Sequence, residues 1–578
     1  MKIKKTKDEL RSVRWLDAGD FRSFNHRSRM MQMGFDYDDW EGKPIIGILN
    51  TWSDINPCHH HFKERVEDVK RGVLQSGGLP MEIPCMSLFE SMNKPSALLY
   101  RNLLAMEVEE LIRSYPIDGV ILMGGCDKTT PGLMLGAISM NIPAVFVPAG
   151  PMLRGNYRGE TLGSGSDAFK YWDEYRAGNI GECELAGICA GIARSPGTCM
   201  TMGTASTMTS VVDAMGMTIP GASSIPAVDT AHNRMCAAAG RGVVDLVWED
   251  ITPNDILTKN SYENGIIVAM ALGGSTNAII HILAMAKRSQ QDISMDDFDR
   301  ISREIPVIAN IRPSGDTYVM EDFYYAGGIL GMINRLKDHM FLHEKTVTRR
   351  TIGEVMGEAV IYNDDVIRHP ENPVYKEGSL AVLKGNLAPD GCVMKASAAN
   401  PKYLQHSGPA VVFDDYDSLK AFCNDENADV AEDHIIILRN AGPKGGPGMP
   451  EWGMLPIPKK LLKKGVRDMI RISDARMSGT SYGSCILHVA PESFVGGPLA
   501  LVQTGDVISI DVDQRSIHME VSEEDLEKRK TEWKQPSPRF ERGFGWMYQR
   551  HILQADQGCD FDYLETGFGA PVKEPEIH

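Results

Sequence analysis

No run of apolar residues in this chain approaches the length that a bilayer-spanning helix needs. Basic residues are also short. Sixty Lys and Arg stand against 77 Asp and Glu, a net charge of −17. That balance disfavours a nucleic-acid role and offers no basic surface to anionic membranes. It leaves anionic small molecules open, because a local pocket can oppose the global sign. The cysteines lack order. There are 11, an odd number, without a disulfide-like rhythm, a CxxC pair or a ferredoxin spacing. The N-terminus, Met1 to Lys7, is basic but has no apolar segment after it, so no signal peptide is expected and a reducing cytoplasm is. Internal repeats and low-complexity tracts are absent as well.

What is present is globular. A hydrophobic fraction of 43% and a charged fraction of 24% are those of a soluble protein, and 578 residues exceed one ordinary core. Residues 1–42 are polar and mixed, and read as a solvated extension or as an arm over a neighbouring subunit. Alternation then begins. Strand-like runs at Pro44–Asn50, Leu79–Pro84, Gly119–Met123 and Ile142–Pro148 are separated by helical spacing, with Gly77-Gly78 as a cap and Pro95 near the start of a helix over 95–115. Alternating strands and helices predict a parallel α/β sheet. Residues 210–295 read as mostly helical. Near residue 380, after the Gly- and Pro-bearing stretch Val374–Gly391, short β-like runs replace the helices. The expected architecture is an α/β domain over 1–380 and a β-barrel-rich domain over 381–578 with a C-terminal helix.

In a parallel sheet, the loops that follow the strands share one edge, where ligands bind. Those loops carry Cys58, Glu90 and Cys126-Asp127-Lys128. A thiol, a carboxylate and an amine on one strand-to-helix turn mix soft and hard ligand types, which suggests two metals at one site. Cys199 lies in another Gly/Thr-rich turn and is placed at or near a helix start. Three thiolates from separate loops can hold an Fe–S cluster or zinc. Glu451, in a loop too rich in Gly and Pro for regular structure, can bring a third carboxylate from the second domain, and oxygen ligands of this kind suit Mg²⁺. Ser478 ends a strand-like run but lies in no Gly-x-Ser-x-Gly elbow. Gly273–Asn277 opens a helix whose amides can hold an anion.

These residues stand in six ordered motifs: Asn56-Pro57-Cys58, Gly124–Pro131, Gly197-Thr198-Cys199, Lys384–Pro389, Gly442–Glu451 and Asp474–Thr480. Together they resemble the IlvD/EDD family of Fe–S dehydratases across nearly the whole chain. The resemblance implies a [2Fe–2S] cluster on Cys58, Cys126 and Cys199, with one iron left open as a Lewis acid. It also implies Mg²⁺ on Glu90, Asp127 and Glu451, with Lys128 carbamylated. Ser478 would be the base that removes the C2 proton of a 2,3-dihydroxy acid, and Thr480 would orient that base or the substrate. His59 and Arg476 are candidate substrate contacts. The stretches Asp474–Thr480 and Ser53–His61 look like the aldonate branch, especially the L-arabinonate/D-xylonate enzymes. Dihydroxy-acid dehydratase of branched-chain amino-acid synthesis, or a broad-specificity enzyme acting also on gluconate, galactonate or glycerate, is the alternative. An Fe–S redox protein and a non-catalytic metal scaffold are the readings from other classes. The family suggests a homodimer or homotetramer with a small-molecule aldonate as its partner.

Overall fold

The computed structural model describes residues 4–357 and 359–564. Its first layer is a four-stranded parallel sheet of β1 (Ile45–Asn50), β2 (Leu79–Pro84), β3 (Gly119–Gly124) and β4 (Ala144–Pro148), in the order β2-β1-β3-β4. Strands β1, β3 and β4 are buried at every position. This explains why their sequences run continuously apolar instead of alternating: they are covered on both faces.

Close helix packing comes from small residues. Helix Phe62–Gln75 lies against Thr230–Trp248 so tightly that a Cβ on Gly72 would fall 2.1 Å from the Ala237 carbonyl. Gly77, at φ +79°, ends the first of these helices as expected. Pro95 does not start the next one. That helix runs over Leu98–Ser114, three residues later, because the intervening turn carries Ser96, which donates to the Gly448 carbonyl across the molecule. The Cys126 turn leads into helix Thr129–Met140. A small hairpin, β5 (Gly155–Tyr157) and β6 (Glu160–Leu162), follows the sheet.

The second half closes into an eight-stranded barrel. Its strands are β7 (Ala381–Gly385), β8 (Ala388–Met394), β9 (Gln405–Phe413), β10 (Ile435–Leu438), β11 (Arg471–Ser473), β12 (Cys485–Ala490), β13 (Val507–Asp511) and β14 (Ser516–Met519). Neighbours β9, β10, β11 and β12 run parallel; β7–β8, β8–β12, β9–β13 and β13–β14 pair antiparallel. The parallel-sheet and barrel expectation therefore holds. The β-like runs expected after the Val374–Gly391 stretch begin inside it, since it contains β7 and the Lys384–Pro389 hairpin. The C-terminal helix Gly543–His551 and the segment after it pack Tyr548, Ile552, Cys559 and Phe561 against Leu98, Leu99 and Ile280 of the first half and against Met449.

Among the described residues, no helix is long and apolar enough to cross a membrane.

Candidate active site

The Asn-Pro-Cys turn is closed by its own asparagine: Asn56 Oδ1 accepts from the Cys58 amide at 3.1 Å. Beside it, His59 is fully buried. Its Nε2 accepts from the Cys126 amide at 2.9 Å, which leaves Nδ1 to carry the proton toward the Thr51 carbonyl at 3.1 Å. Burial holds this ring neutral, with its pKa near 4. His59 thus ties the first cysteine loop to the second, and both ring nitrogens are engaged in doing so. His60 is exposed, and His61 donates through Nε2 to the Ala149 carbonyl. The three consecutive histidines do not converge.

The thiols do converge. The Cys58 thiol is pushed up first by its hydrogen bond with Cys126, then by burial and the charges of Cys126, Cys199 and Asp127. Burial, then the nearby Asp127, raises Cys199 to about 12. Cys199 is not at a helix start. It lies in an irregular turn ahead of helix Thr204–Ala214, and the Ser164 hydroxyl is its hydrogen-bond partner. Cys58 and Cys199, both raised and gathered around Cys126, are unfavourable as free thiolates. A cationic metal centre reverses that balance.

Next to the thiols, oxygens of Glu90, Asp127 and Glu451 come within 4.8 Å of one another. Two cations hold them. Lys128 is fully buried, with Nζ 3.0 Å from Glu90 Oε2 and 3.6 Å from Asp127. Arg476, equally buried, reaches Glu90 at 3.1 Å, Glu451 at 3.2 Å, the Ser96 hydroxyl at 3.0 Å and the Met449 carbonyl at 2.8 Å. Burial opposes ionisation of Glu90, but Lys128 and Arg476 hold it down to about 2. Glu451 is pushed up to about 7 by burial and then by the charge of Glu90, and burial also raises Asp127. Two cations are not enough for three carboxylates. Neither Lys128 Nζ nor Glu90 Oε2 makes an aligned hydrogen bond among the described residues. This donor set fits a hard divalent cation. Arg476, a candidate substrate contact by sequence, is instead taken up by the carboxylates and their scaffold.

The Ser478 loop joins β11 to β12. Ser478 Oγ and Thr480 Oγ1 are 3.0 Å apart, and the Ser481 amide donates back to the Ser478 carbonyl. Gly479 is needed here, because a Cβ would fall 2.6 Å from both Ser275 Oγ and the Thr204 amide nitrogen. Thr480 packs against Gly165, next to Ser164, the partner of Cys199. Asp474 braces the loop from behind, accepting from the Ala441 and Ser493 amides.

Sequence reading missed Asn277. Its Nδ2 faces the Met477 carbonyl at 3.1 Å, Thr204 Oγ1 at 2.9 Å and Glu451 at 3.4 Å. It links the serine loop to the carboxylate group, whereas its Gly-rich approach suggests an anion site. The usable signal is a wholly buried polar residue opening an apolar helix, and that is visible only in three dimensions.

Two thiol- and carboxylate-lined centres beside a braced hydroxyl pair define an elimination enzyme more readily than an electron carrier. Comparison with known proteins agrees. Residues 43–355 match the model for the dihydroxy-acid/6-phosphogluconate dehydratase N-terminal domain, and residues 365–559 match that for the C-terminal domain. The chain belongs to this dehydratase family, whose members are hydro-lyases. Its relatives include 6-deoxy-6-sulfo-D-gluconate dehydratase of Pseudomonas putida, 51% identical over 99% of both chains. L-arabinonate dehydratase of Rhizobium leguminosarum bv. trifolii is 46% identical over 98% of both. Dihydroxy-acid dehydratase of Methanococcus maripaludis is 38% identical over 94% of this chain and 98% of that one. Relatives at 51%, 46% and 43% identity carry the names of sugar-acid dehydratases, and one at 48% is named as a dehydratase without a substrate.

Proposed function

We propose that this protein is an aldonate dehydratase that removes water across C2 and C3 of a sugar acid such as L-arabinonate or D-xylonate, giving a 2-keto-3-deoxy acid. The observation that carries the proposal is the convergence of the Cys58/Cys126/Cys199 thiols and the Glu90/Asp127/Glu451 carboxylates on either side of one turn, Cys126-Asp127-Lys128. The names of the relatives at 51%, 46% and 43% identity support a sugar acid over a branched-chain dihydroxy acid, and a six-carbon acid bearing a terminal anion belongs in the same test.

Cys58, Cys126 and Cys199 would hold a [2Fe–2S] cluster, and Glu90, Asp127 and Glu451 with carbamylated Lys128 would hold Mg²⁺. When bound, these groups supply Lewis acidity toward the substrate's carboxylate and hydroxyls and lower the pKa of a nearby serine. The rest is done by the chain. Ser478 Oγ takes the C2 proton, and Thr480, 3.0 Å away, orients that oxygen. The electron pair released at C2 forms the C2=C3 bond as the C3 hydroxyl departs. The enol then tautomerises to the ketone, for a net loss of one water. Arg476 holds Glu90 and Glu451 in place throughout.

The test is a substrate panel with anaerobically purified protein, scored for 2-keto-3-deoxy acids: L-arabinonate, D-xylonate, gluconate, galactonate, glycerate, 6-deoxy-6-sulfogluconate and 2,3-dihydroxyisovalerate. Turnover of one or more sugar acids is expected. Dominant turnover of 2,3-dihydroxyisovalerate would overturn the assignment.

A further inference from the structure

One buried cation stands apart from the thiols and the carboxylates. Lys395 directly follows β8, at the end of the apolar run Gly391-Cys392-Val393-Met394, and its side chain is wholly buried. Burying such a lysine is costly unless it is paired or hydrogen-bonded. Among the described residues, no carboxylate forms an ion pair with it. Its hydrogen bond goes to the carbonyl of Gly479 at 3.1 Å, between the two hydroxyl-bearing residues Ser478 and Thr480. Burial pulls its ammonium down to about 7.

The turn that carries Lys395 grips the serine loop twice. The Gly483 amide donates to the carbonyl of Ala398, in the short helix Ala396–Ala398 that Lys395 precedes. Gly479 also lies against the Thr204 amide nitrogen and the Ser275 side chain. The peptide joining Gly479 to Thr480 is therefore held by these neighbours and one ammonium. That peptide decides how Thr480 Oγ1 meets Ser478 Oγ.

We propose that Lys395 is a positioning residue for the elimination: its ammonium fixes the Gly479–Thr480 peptide and places a positive charge beside the loop that bears the Ser478 base. The inference rests on Ser478 being that base. A nearby cation favours the serine alkoxide over the neutral hydroxyl, so removing it impairs proton abstraction without removing a substrate contact.

The experiment compares wild type, Lys395→Met, Lys395→Arg and Ser478→Ala, each as the anaerobic holoenzyme with cluster content checked by its visible spectrum. A hydrogen bond from a charged donor corresponds to a loss of about tenfold to a hundredfold. Lys395→Met should lower kcat by that factor with KM little changed and move the acidic limb of the kcat profile to higher pH, and Lys395→Arg should recover part of kcat. The spectrum and melting temperature identify variants that merely fail to fold. Should Lys395→Met misfold, Lys395→Arg and Lys395→Gln carry the comparison: kcat should fall further in the neutral variant than in the charged one. Equal kcat in charged and neutral variants, or a loss confined to KM, would overturn the inference. Ser478→Ala separates the two claims. If it retains turnover, the base assignment fails; if it is inactive while Lys395→Met is unchanged, only the role of Lys395 fails.

Discussion

At the scale of single residues, the site is a problem of charge. Three carboxylates meet within 4.8 Å, and Lys128 and Arg476 only partly neutralise them. Arg476→Met would leave Glu90 and Glu451 without their shared partner. Removing one member of a buried ion pair typically costs about 3–5 kcal/mol. A clear fall in melting temperature is expected in EDTA, and a smaller fall in excess Mg²⁺ if the cation takes over the role of the guanidinium. Equal melting of variant and wild type in EDTA would show that Arg476 is not needed to hold the carboxylates. Ser478→Ala removes only one hydroxyl, so cluster spectrum and melting should survive while kcat falls by about 10²- to 10⁴-fold. A second buried acid offers a pH test. Glu492 is pushed up to about 7 by burial and then by Asp474, although it accepts from the Lys444 and Gly445 amides. In the unfolded chain this carboxyl ionises near its ordinary 4.5, whereas in the fold it keeps its proton longer. Its contribution to stability is thus greatest below 4.5, is withdrawn as pH rises toward 7, and is level above. Chemical denaturation of Glu492→Gln, which cannot ionise, should gain on wild type through that window. A constant difference across it would contradict the assignment.

At the scale of elements, loops are held by neighbours far away in sequence. His59 ties the Cys58 loop to the Cys126 amide, Asn277 ties the Ser478 loop to Glu451, and Ser96 ties the Glu90 segment to Gly448. Glycine permits close approach between helices as well. Gly72→Ala would drive a methyl into the Ala237 carbonyl 2.1 Å away and should cost about 1–3 kcal/mol, read as a drop in melting temperature. A variant as stable as wild type would mean that the two helices separate without penalty. The four strands of the parallel sheet and β9 to β13 are legible in the sequence as short apolar runs, whereas the β5–β6 hairpin and β7, β8 and β14 carry too few apolar residues or too many turn residues to be read. Helix starts are less so. Pro95 and Cys199 both read as N-terminal positions, and tertiary contacts move the starts to Leu98 and Thr204.

At the scale of the molecule, the C-terminal segment is a clasp across the two halves. Arg288 and Asp560 form a pair almost wholly buried, and Arg101 donates to the carbonyls of Gly558 and Cys559. Arg288→Met would strand the Asp560 carboxylate. A loss of about 3–5 kcal/mol is expected, together with faster amide exchange over 552–564. Unchanged protection there would show that the apolar contacts of Tyr548 and Phe561 suffice.

By itself the sequence determined the two-part architecture, because apolar periodicity reports which faces must be buried, whatever their partners. It also pointed to the loops that bring Cys58, Glu90 and Cys126-Asp127-Lys128 together, since loops after parallel strands share an edge. It did not determine what His59, Arg476, Asn277 and Lys395 do. The first two read as ligands for substrate because a polar side chain in a loop carries no mark of its partner. Only the tertiary structure, by committing their hydrogen bonds to a cysteine amide, two carboxylates, a loop carbonyl and the Gly479 carbonyl, made them scaffold. The physical reason is that burial makes every polar group find a partner, and which partner is nearest depends on contacts between residues tens to hundreds of positions apart.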